Sequence, residues 1–263
     1  MVVPTGYGLW VSTAGPALLE IAARQNIDAV VLDIEHGTFD VATLDTVLLI
    51  ARGLGLPVFA KVAAPDRASI QQPLDFGAAG IIIPHVGNAG HAASVTAFAK
   101  FPPLGSRSFA GGRTVDYDSP AQDFFEIEND RTMCLPMIET AEALEAVEEI
   151  AALAAVDGLF VGPSDLSLRR GRGRYRRTAA DRKDLERIAK ASAAAGKPWI
   201  MPAWSAEEQQ WARDLGASLQ IVAEEQTILA DGLKAVLSKT RAAGLDRGPI
   251  LAGSGSARSG TEL

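Results

Sequence analysis

Short apolar segments alternate with longer helical patterns eight times along this chain, and this alternation most limits how the chain can fold. Several apolar segments, such as AVVLDI, GIIIP and GLFVG, are hydrophobic at nearly every position rather than at every second one. Such runs are typical of strands buried on both faces of a parallel sheet. The predicted strands are Tyr7–Ser12, Asp28–Ile34, Pro57–Val62, Ala79–Pro84, Thr132–Ile138, Asp157–Val161, Pro198–Ala203 and Ser218–Ala223.

Each predicted strand is followed by a segment with a helical pattern. The predicted helices are Pro16–Gln25, Val41–Gly53, Ala68–Phe76, Ala89–Phe101, Ala141–Ala154, Asp181–Ala195, Ala206–Leu215 and Thr227–Ala243. Eight βα units in about 240 residues match the size of a (β/α)8 TIM barrel, with an open doubly wound sheet as the alternative. Because no linker interrupts the pattern, we predict a single barrel domain at residues 1–247, followed by a disordered Gly/Ser-rich tail at 248–263.

The composition argues against several classes of protein. The single cysteine cannot form an internal disulfide or a cysteine-rich zinc site, and the net charge of −7 disfavours a general nucleic-acid-binding protein. The first ten residues lack the basic and apolar regions of a signal peptide, and no apolar run is long enough for a membrane span. We therefore expect a cytoplasmic enzyme without a nucleic-acid or membrane partner.

Polar residues follow several predicted strands at their carboxyl ends, where (β/α)8 barrels place their active sites. Lys61 ends the third strand, Glu139 follows the fifth, and Asp165 follows the sixth. His36 follows the second strand. Each residue also has a purely structural interpretation. Glu139 could be an acid at a helix N-terminus and Asp165 a helix cap, while His36 could be a loop histidine and Lys61 a solvated lysine. Because all four fall on one rim, we predict a site there.

This set of residues suits metal-assisted chemistry. Glu139 and Asp165 can hold a hard cation such as Mg²⁺ and leave positions open for an oxygen-rich substrate such as a 2-oxo acid. The segment Gly162–Asp165 leads toward a helix, so its backbone N–H groups could bind the carboxylate of that acid. His36 is the candidate general base, and Lys61 is a fixed cation that could stabilise an enolate oxygen.

Five motifs, read together, make the chain similar to a known family. They are VLDIEHG (31–37), PLDFGAAGIIIPHV (73–86), FPPLGSRS (101–108), PMIETAEAL (136–144) and VDGLFVGPSDLS (156–167). In their order and spacing they resemble the HpcH/HpaI family of class II aldolases, which includes 4-hydroxy-2-oxoheptanedioate aldolase and 2-keto-3-deoxy-sugar-acid aldolases. The resemblance implies a (β/α)8 barrel, often a hexamer built as a trimer of dimers, that uses Mg²⁺, Mn²⁺ or Co²⁺ to stabilise pyruvate enolate.

The resemblance also implies roles for individual residues. Glu139 and Asp165 match the metal-binding carboxylates, and His36 matches the catalytic histidine. Asp75 matches a carboxylate that pairs with that histidine, in some members from a neighbouring subunit. The backbone segment that holds the pyruvate carboxylate corresponds to Gly162, Pro163 and Ser164.

Three departures from the family pattern affect the predicted site. Lys61 stands where relatives typically carry an arginine, which keeps the charge but loses the guanidinium fork. Met137 stands where many members have a glutamine. The segment Arg169–Arg177 holds six arginines in nine residues. It fits a solvated or subunit-contact loop, a site for an anionic substrate arm or, least well, a nucleic-acid contact.

We also expect that segment and the long Phe101–Asp130 segment to lie at the carboxyl end of the barrel, with Arg107 and Arg113 joining an anion pocket.

The sequence leaves several functions open. The leading hypothesis is a class II aldolase that forms or cleaves a C–C bond between the enolate of a pyruvate-like 2-oxo acid, such as hydroxypyruvate, and an aldehyde. A related C–C lyase or decarboxylase acting on 2-oxo acids would use the same barrel. A class I aldolase would instead form a Schiff base on Lys61, and a non-catalytic binding barrel would keep only the fold.

Overall fold

Eight parallel strands close into a barrel in the computed structural model, which describes residues 4–243. The strands are β1 (Gly6–Val11), β2 (Ala29–Asp33), β3 (Val58–Lys61), β4 (Gly80–Ile83), β5 (Met133–Ile138), β6 (Leu159–Val161), β7 (Trp199–Pro202) and β8 (Leu219–Glu224). Each strand pairs with the next along the chain, and β1 pairs with β8. The predicted (β/α)8 barrel is confirmed. Each predicted strand begins and ends within two residues of the corresponding observed strand.

Helices alternate with the strands along the chain. They are α1 (Pro16–Arg24), α2 (Val41–Gly53), α3 (Arg67–Asp75), α4 (Ala89–Thr96), α5 (Phe124–Arg131), α6 (Ala141–Glu145), α7 (Val147–Ala152), α8 (Pro163–Arg169), α9 (Ala179–Ala194), α10 (Ala206–Asp214) and α11 (Glu225–Ala242). The predicted helix Ala141–Ala154 is divided into α6 and α7 at Ala146. The predicted helix Ala89–Phe101 is α4 followed by a short 3₁₀ turn.

Successive side chains of each strand point to opposite faces of the sheet, and this produces two apolar layers. In β2, Val30 and Leu32 pack in the cluster shared with the helices, whereas Val31 packs in a second cluster inside the barrel. The second cluster includes Phe59 and Phe160, both with no exposed surface. Since both faces of each strand are covered, the strands are apolar at consecutive positions.

The barrel closes through both backbone and side-chain contacts. Tyr7 of β1 lies beside Gln220 of β8. The Glu225 carboxylate accepts the backbone N–H groups of Ser12 and Thr13 at 3.0 and 2.9 Å. The segment that follows the last strand thereby fixes the segment that follows the first.

The long segment between α4 and β5 lies on the amino-terminal side of the barrel, so the expectation that it belongs to the carboxyl end was wrong. A helix-to-strand connection returns the chain to the amino ends of the strands. Accordingly, Arg113 donates to the carbonyl of Phe76 just after α3, at 2.8 Å. Lys100 pairs with Asp157 just before β6, at 2.7 Å.

The chain is divided into two compact units, with the boundary between Glu225 and Gln226. The first unit contains the eight strands. The second, described for residues 226–243, contains α11 apart from its first residue. The predicted domain end at 247 and the predicted tail at 248–263 lie outside the described residues. Among residues 4–243, no helix is long and apolar enough to cross a lipid bilayer.

Candidate active site

A cleft of about 160 Å³ at the carboxyl end of the barrel brings together most of the predicted site residues. His36, Lys61 and Asp165 line it, together with the backbone segment from Gly162 to Ser164. The other lining residues are Trp10, Asp33, Met137, Pro202 and Trp204. These residues come from six of the eight strands or the segments that follow them, so closure of the barrel assembles the cleft.

Lys61 is buried in this cleft and engaged by two carboxylates. Its side chain is only 4% exposed, and its Nζ lies 3.2 Å from Oδ1 of Asp33 and also donates to Oε2 of Glu35. The register of β2 and β3 places Asp33 and Lys61 side by side, and Trp10 donates from Nε1 to the other oxygen of Asp33 at 3.2 Å. The ammonium group of Lys61 is therefore held in place by the carboxylates of Asp33 and Glu35.

Glu35 is shared by three basic side chains. Besides Lys61, its carboxylate contacts Nε2 of His85 at 2.6 Å and Nε2 of His36 at 3.5 Å. Burial raises the pKa of Glu35, but the hydrogen bond and charge of Lys61, the hydrogen bond of His85 and the charge of His36 outweigh that effect, so the pKa lies below its ordinary value. Glu35 is thus a charged group that can orient both imidazoles.

His85 connects the two acidic parts of the site, and it was not among the predicted site residues. Its backbone N–H donates to Oε1 of Glu139 at 2.6 Å, and its Nδ1 lies 3.4 Å from the same oxygen. The backbone at His85 adopts a φ of +56°, in the left-handed region that few residues other than glycine adopt. This conformation turns the N–H toward Glu139, while the ring reaches Glu35.

Glu139 and Asp165 lie just beyond the ends of the adjacent strands β5 and β6. The Glu139 side chain is 3% exposed, whereas Asp165 is exposed in the first turn of α8. Burial raises the pKa of Glu139, the hydrogen bond and charge of His85 oppose the rise, and the nearby charge of Asp165 adds to it. The charge of Asp165 thus disfavours ionisation of Glu139, and a bound cation would offset that effect.

Gly162 allows the chain to pass close to these groups. A Cβ at this position would lie 2.8 Å from Cβ of Glu139 and 2.6 Å from Cε of Met137, closer than real atoms come. The absence of a side chain therefore permits Glu139 and the start of α8 to share one small space.

The donor set fits a hard divalent cation. Carboxylate oxygens are the protein ligands that Mg²⁺ prefers, and Mg²⁺ is commonly held by one or two carboxylates with water in the other positions. In the part of the chain that the structure describes, no three His, Cys, Asp or Glu residues form a ligand group. Glu139 and Asp165 are carboxylates that could hold such an ion, with substrate or water in the other positions.

Asp75 does not join this cluster within one chain. It is the last residue of α3, at the amino-terminal side of the barrel, and its Oδ1 lies 3.0 Å from Nη2 of Arg107. Burial raises the pKa of Asp75 although Arg107 opposes the rise. The predicted pairing of Asp75 with His36 stays a prediction, and it would need a second copy of the chain.

Arg107 and Arg113 do not line an anion pocket but form ion pairs at the amino-terminal side of the barrel. Arg107 is 2% exposed and holds Asp75, and Arg113 lies 2.7 Å from Oδ1 of Asp45 on α2. Their predicted place at the strand ends was wrong because the segment that carries them follows a helix rather than a strand.

The closed barrel and the ionisable cluster at its carboxyl end define a (β/α)8-barrel enzyme. The family model described as HpcH/HpaI aldolase/citrate lyase matches residues 6–245, and the chain belongs to this family.

Characterised relatives and solved structures agree with this assignment. The chain is 33% identical to a 2-dehydro-3,6-dideoxy-6-sulfogluconate aldolase of Pseudomonas putida, over 61% of this chain and 63% of the relative. It is 30% identical to a hydroxypyruvate/pyruvate aldolase of Roseovarius nubinhibens, over 89% and 91% of the two chains. The alignment with the first relative thus spans less than two thirds of that protein.

The structure of an HpcH/HpaI aldolase from Desulfitobacterium hafniense superposes with a TM-score of 0.85 at 24% identity, over 93% of this chain and 96% of the other. At that identity the likeness concerns the fold. The citrate synthase SbnG superposes with a TM-score of 0.83 at 26% identity, over 92% and 96%.

Proposed function

We propose that this chain is a class II aldolase, which forms or cleaves a C–C bond between the enolate of a pyruvate-like 2-oxo acid and an aldehyde. The observation that carries the proposal is the carboxylate pair Glu139 and Asp165, placed beside the buried cation Lys61 and the exposed His36. The relatives named as aldolases of hydroxypyruvate and pyruvate support a small 2-oxo acid as the nucleophile.

Glu139 and Asp165 are the proposed holders of Mg²⁺, Mn²⁺ or Co²⁺. When bound, such an ion supplies a Lewis acid that draws electron density from the oxygens of a 2-oxo acid. The backbone at Gly162, Pro163 and Ser164 is proposed to bind the substrate carboxylate, because this segment lines the same cleft.

His36 is the proposed base. Its side chain is 67% exposed in the cleft, and Glu35 lies at 3.5 Å to orient the ring. In the condensation direction, His36 accepts a proton from C3 of the 2-oxo acid and C3 bonds to the aldehyde carbon. The aldehyde oxygen then takes a proton and becomes a hydroxyl group, and cleavage follows the reverse order.

Lys61 is the proposed electrostatic partner of the enolate oxygen. Asp33 and Glu35 hold its ammonium group in place, so little reorganisation is required when negative charge develops nearby. The same contacts argue against the Schiff-base alternative, because a Schiff-base lysine must attack as an uncharged amine.

The proposed enzyme is cytoplasmic and works as a homo-oligomer, a hexamer built as a trimer of dimers, in which Asp75 of one copy can approach His36 of another. Sedimentation analysis tests the assembly. Dilution below the dissociation range should lower activity per chain, and unchanged activity would contradict a shared site.

Exchange of the C3 protons of pyruvate with deuterium, followed by NMR, tests the proposed function without knowledge of the aldehyde. Protein treated with EDTA should show no exchange, and addition of Mg²⁺, Mn²⁺ or Co²⁺ should restore it. Exchange that survives EDTA would favour Schiff-base chemistry on Lys61, and borohydride trapping would then locate the adduct. A decarboxylase would release CO₂, and a non-catalytic barrel would show no exchange.

Variants of the carboxylates sharpen this test. Glu139→Ala and Asp165→Ala should each abolish metal-dependent exchange, because each removes one of two protein ligands. Glu142→Ala is the matched control, since Glu142 is an exposed glutamate in the first turn of α6, three residues from Glu139. Equal loss in the control would point to a general effect on the fold.

A further inference from the structure

A second cavity of about 360 Å³ adjoins the cleft. The two spaces share Ser164, Asp165 and Trp204 as lining residues. The Trp204 side chain is partly exposed, at 44%, and forms a common wall. A molecule that occupies the cleft at Asp165 can therefore extend directly into the second cavity.

The six arginines of the segment 169–177 do not have one role. Arg170 and Arg172 contact Asp184 of α9 at 3.1 and 2.6 Å, and Arg172 also contacts Asp181 at 2.9 Å. These pairs fix the segment to the outside of the barrel, so the arginines that make them serve the structure.

Arg174 and Arg177 are different, because they line the second cavity together with Tyr175. Arg177 lies 3.5 Å from the buried carboxylate of Glu208, at the outer limit of a contact. Arg174 is exposed, and within residues 4–243 it has no hydrogen bond or ion pair. At least one guanidinium fork in this cavity is therefore available to a ligand.

We propose that the second cavity binds an anionic group at the far end of the aldehyde acceptor, with Arg174 and Arg177 as the binding residues. The proposal rests on the function proposed above, because it takes the reacting carbons to lie in the cleft beside Asp165. The group is a carboxylate, sulfonate or phosphate, since guanidinium pairs with the planar edge of such oxyanions through two parallel hydrogen bonds.

The charge distribution of the molecule supports this assignment. The chain has a net charge of −7, and the cleft contains the carboxylates of Asp33 and Asp165. The two arginines give the second cavity a positive charge beside a cleft that contains these carboxylates. It attracts an anion to one side of the reacting centre and so sets the direction in which the substrate lies.

Paired aldehydes test the proposal. With pyruvate as the nucleophile, kcat/KM is compared for succinic semialdehyde and pentanal, which have a similar length but differ in the terminal carboxylate. Glyceraldehyde 3-phosphate and glyceraldehyde form a second pair that distinguishes a phosphate from a carboxylate. We expect the charged member of at least one pair to be preferred by about 10- to 100-fold, the range for a hydrogen bond to a charged group.

Arg174→Gln should remove most of this preference, because it should lower kcat/KM for the charged aldehyde at least tenfold more than for the uncharged one. Arg176→Gln is the matched control, since Arg176 is an exposed arginine of the same segment that does not line the cavity. Equal kcat/KM within both pairs in the unaltered protein, or an equal loss for both members in Arg174→Gln, would overturn the proposal.

A binding measurement separates this proposal from the proposed function. Succinic semialdehyde should change the tryptophan fluorescence of the protein, because Trp204 lies in the cavity wall. The change should be absent in Trp204→Phe, and its midpoint should shift at least tenfold in Arg174→Gln. Charge-dependent binding without pyruvate exchange would support the anion site and overturn the aldolase. Pyruvate exchange without charge-dependent binding would support the aldolase and overturn the anion site.

Discussion

Lys61 is a buried ammonium group held by two carboxylates, and its removal leaves those carboxylates without their cation. We predict that Lys61→Met lowers the free energy of unfolding by about 3–5 kcal/mol, the usual cost of breaking a buried ion pair from one side. Urea denaturation at neutral pH measures the change.

The double variant Lys61→Met/Glu35→Gln is the control for this interpretation. It removes one of the two unpaired charges and should recover part of the lost stability, because the two substitutions act on one interaction. Additive losses would indicate that Lys61 stabilises the barrel through its packing instead.

Gly162 lies against Glu139 in the proposed metal-binding region, where a side chain would not fit. We predict that Gly162→Ala displaces Glu139, because the new Cβ would lie 3.0 Å from its Oε2 and still closer to Met137. Binding of Mn²⁺, followed by its electron paramagnetic resonance signal, should weaken at least tenfold. Gly53→Ala is the control, since a Cβ there meets nothing within 4 Å. Unchanged Mn²⁺ affinity in Gly162→Ala would count against Glu139 as a ligand.

Individual residues also show what could be read from the sequence. The rule that polar residues at strand ends point to the site selected His36, Lys61 and Asp165, and these residues share one cleft. The same rule applies to His85, which follows β4 after Pro84. Its role was missed because the bridge between Glu35 and Glu139 depends on a left-handed backbone conformation that the sequence does not specify.

At the scale of elements, the start of α9 combines a helix cap with an ion pair. Asp181 accepts the backbone N–H of Thr178 at 2.8 Å and lies 2.9 Å from Arg172. Burial raises the pKa of Asp181, but the hydrogen bonds from Thr178 and the pairing with Arg172 outweigh it, so the pKa in the folded state is lowered. The stabilisation is therefore present above the pKa of the unfolded chain, and it is lost as the pH falls through the folded value.

We predict that Asp181→Asn lowers the free energy of unfolding by about 1 kcal/mol at neutral pH, as expected for the loss of a helix cap. Because the stabilisation needs the ionised carboxylate, the difference from the unaltered protein should shrink as the pH falls below about 4. Denaturation series at several pH values measure it. Glu186→Gln, on the same helix but half-buried and paired only with Arg182 at 3.3 Å, should show a smaller effect, and a pH-independent difference for Asp181→Asn would contradict the assignment.

Strands could be predicted closely because burial on both faces leaves an uninterrupted apolar run, as in β2 and β4. The connections could not be predicted as well. No Gly or Pro marks the break at Ala146 between α6 and α7, so the sequence gives no sign of it. The helix α8 is too short to show a periodic pattern. The segment 101–130 was assigned to the wrong side because it interrupts the alternation of strands and helices and is rich in Gly, Pro and Ser, as a long active-site loop would be.

For the whole molecule, a second set of buried ion pairs lies at the end of the barrel opposite the proposed site. At the amino-terminal end, Lys100 is 1% exposed and donates to the carbonyls of Asn129 and Thr132, both at 2.5 Å. Its pairing with Asp157 joins the segments that precede β5 and β6. These contacts are remote from the cleft, so their loss should affect folding and not the reaction.

We predict that Lys100→Met lowers the free energy of unfolding by about 3 kcal/mol, because it leaves buried carbonyls and a carboxylate unpaired. Pyruvate exchange per folded molecule, measured well below the melting temperature, should be unchanged. The exposed Lys190 supplies the control variant Lys190→Met, which should alter neither property. A loss of exchange in folded Lys100→Met would show that the two ends of the barrel are coupled.

The pairing of β1 with β8 has a consequence for synthesis of the chain on the ribosome. Tyr7 leaves the exit tunnel early, but its partner Gln220 follows more than 200 residues later. Until then, one edge of the nascent first strand has no neighbour in its own chain, and exposed strand edges promote aggregation. The growing polypeptide therefore has an unpaired strand edge through most of translation, and that edge is covered only after the last strand has emerged.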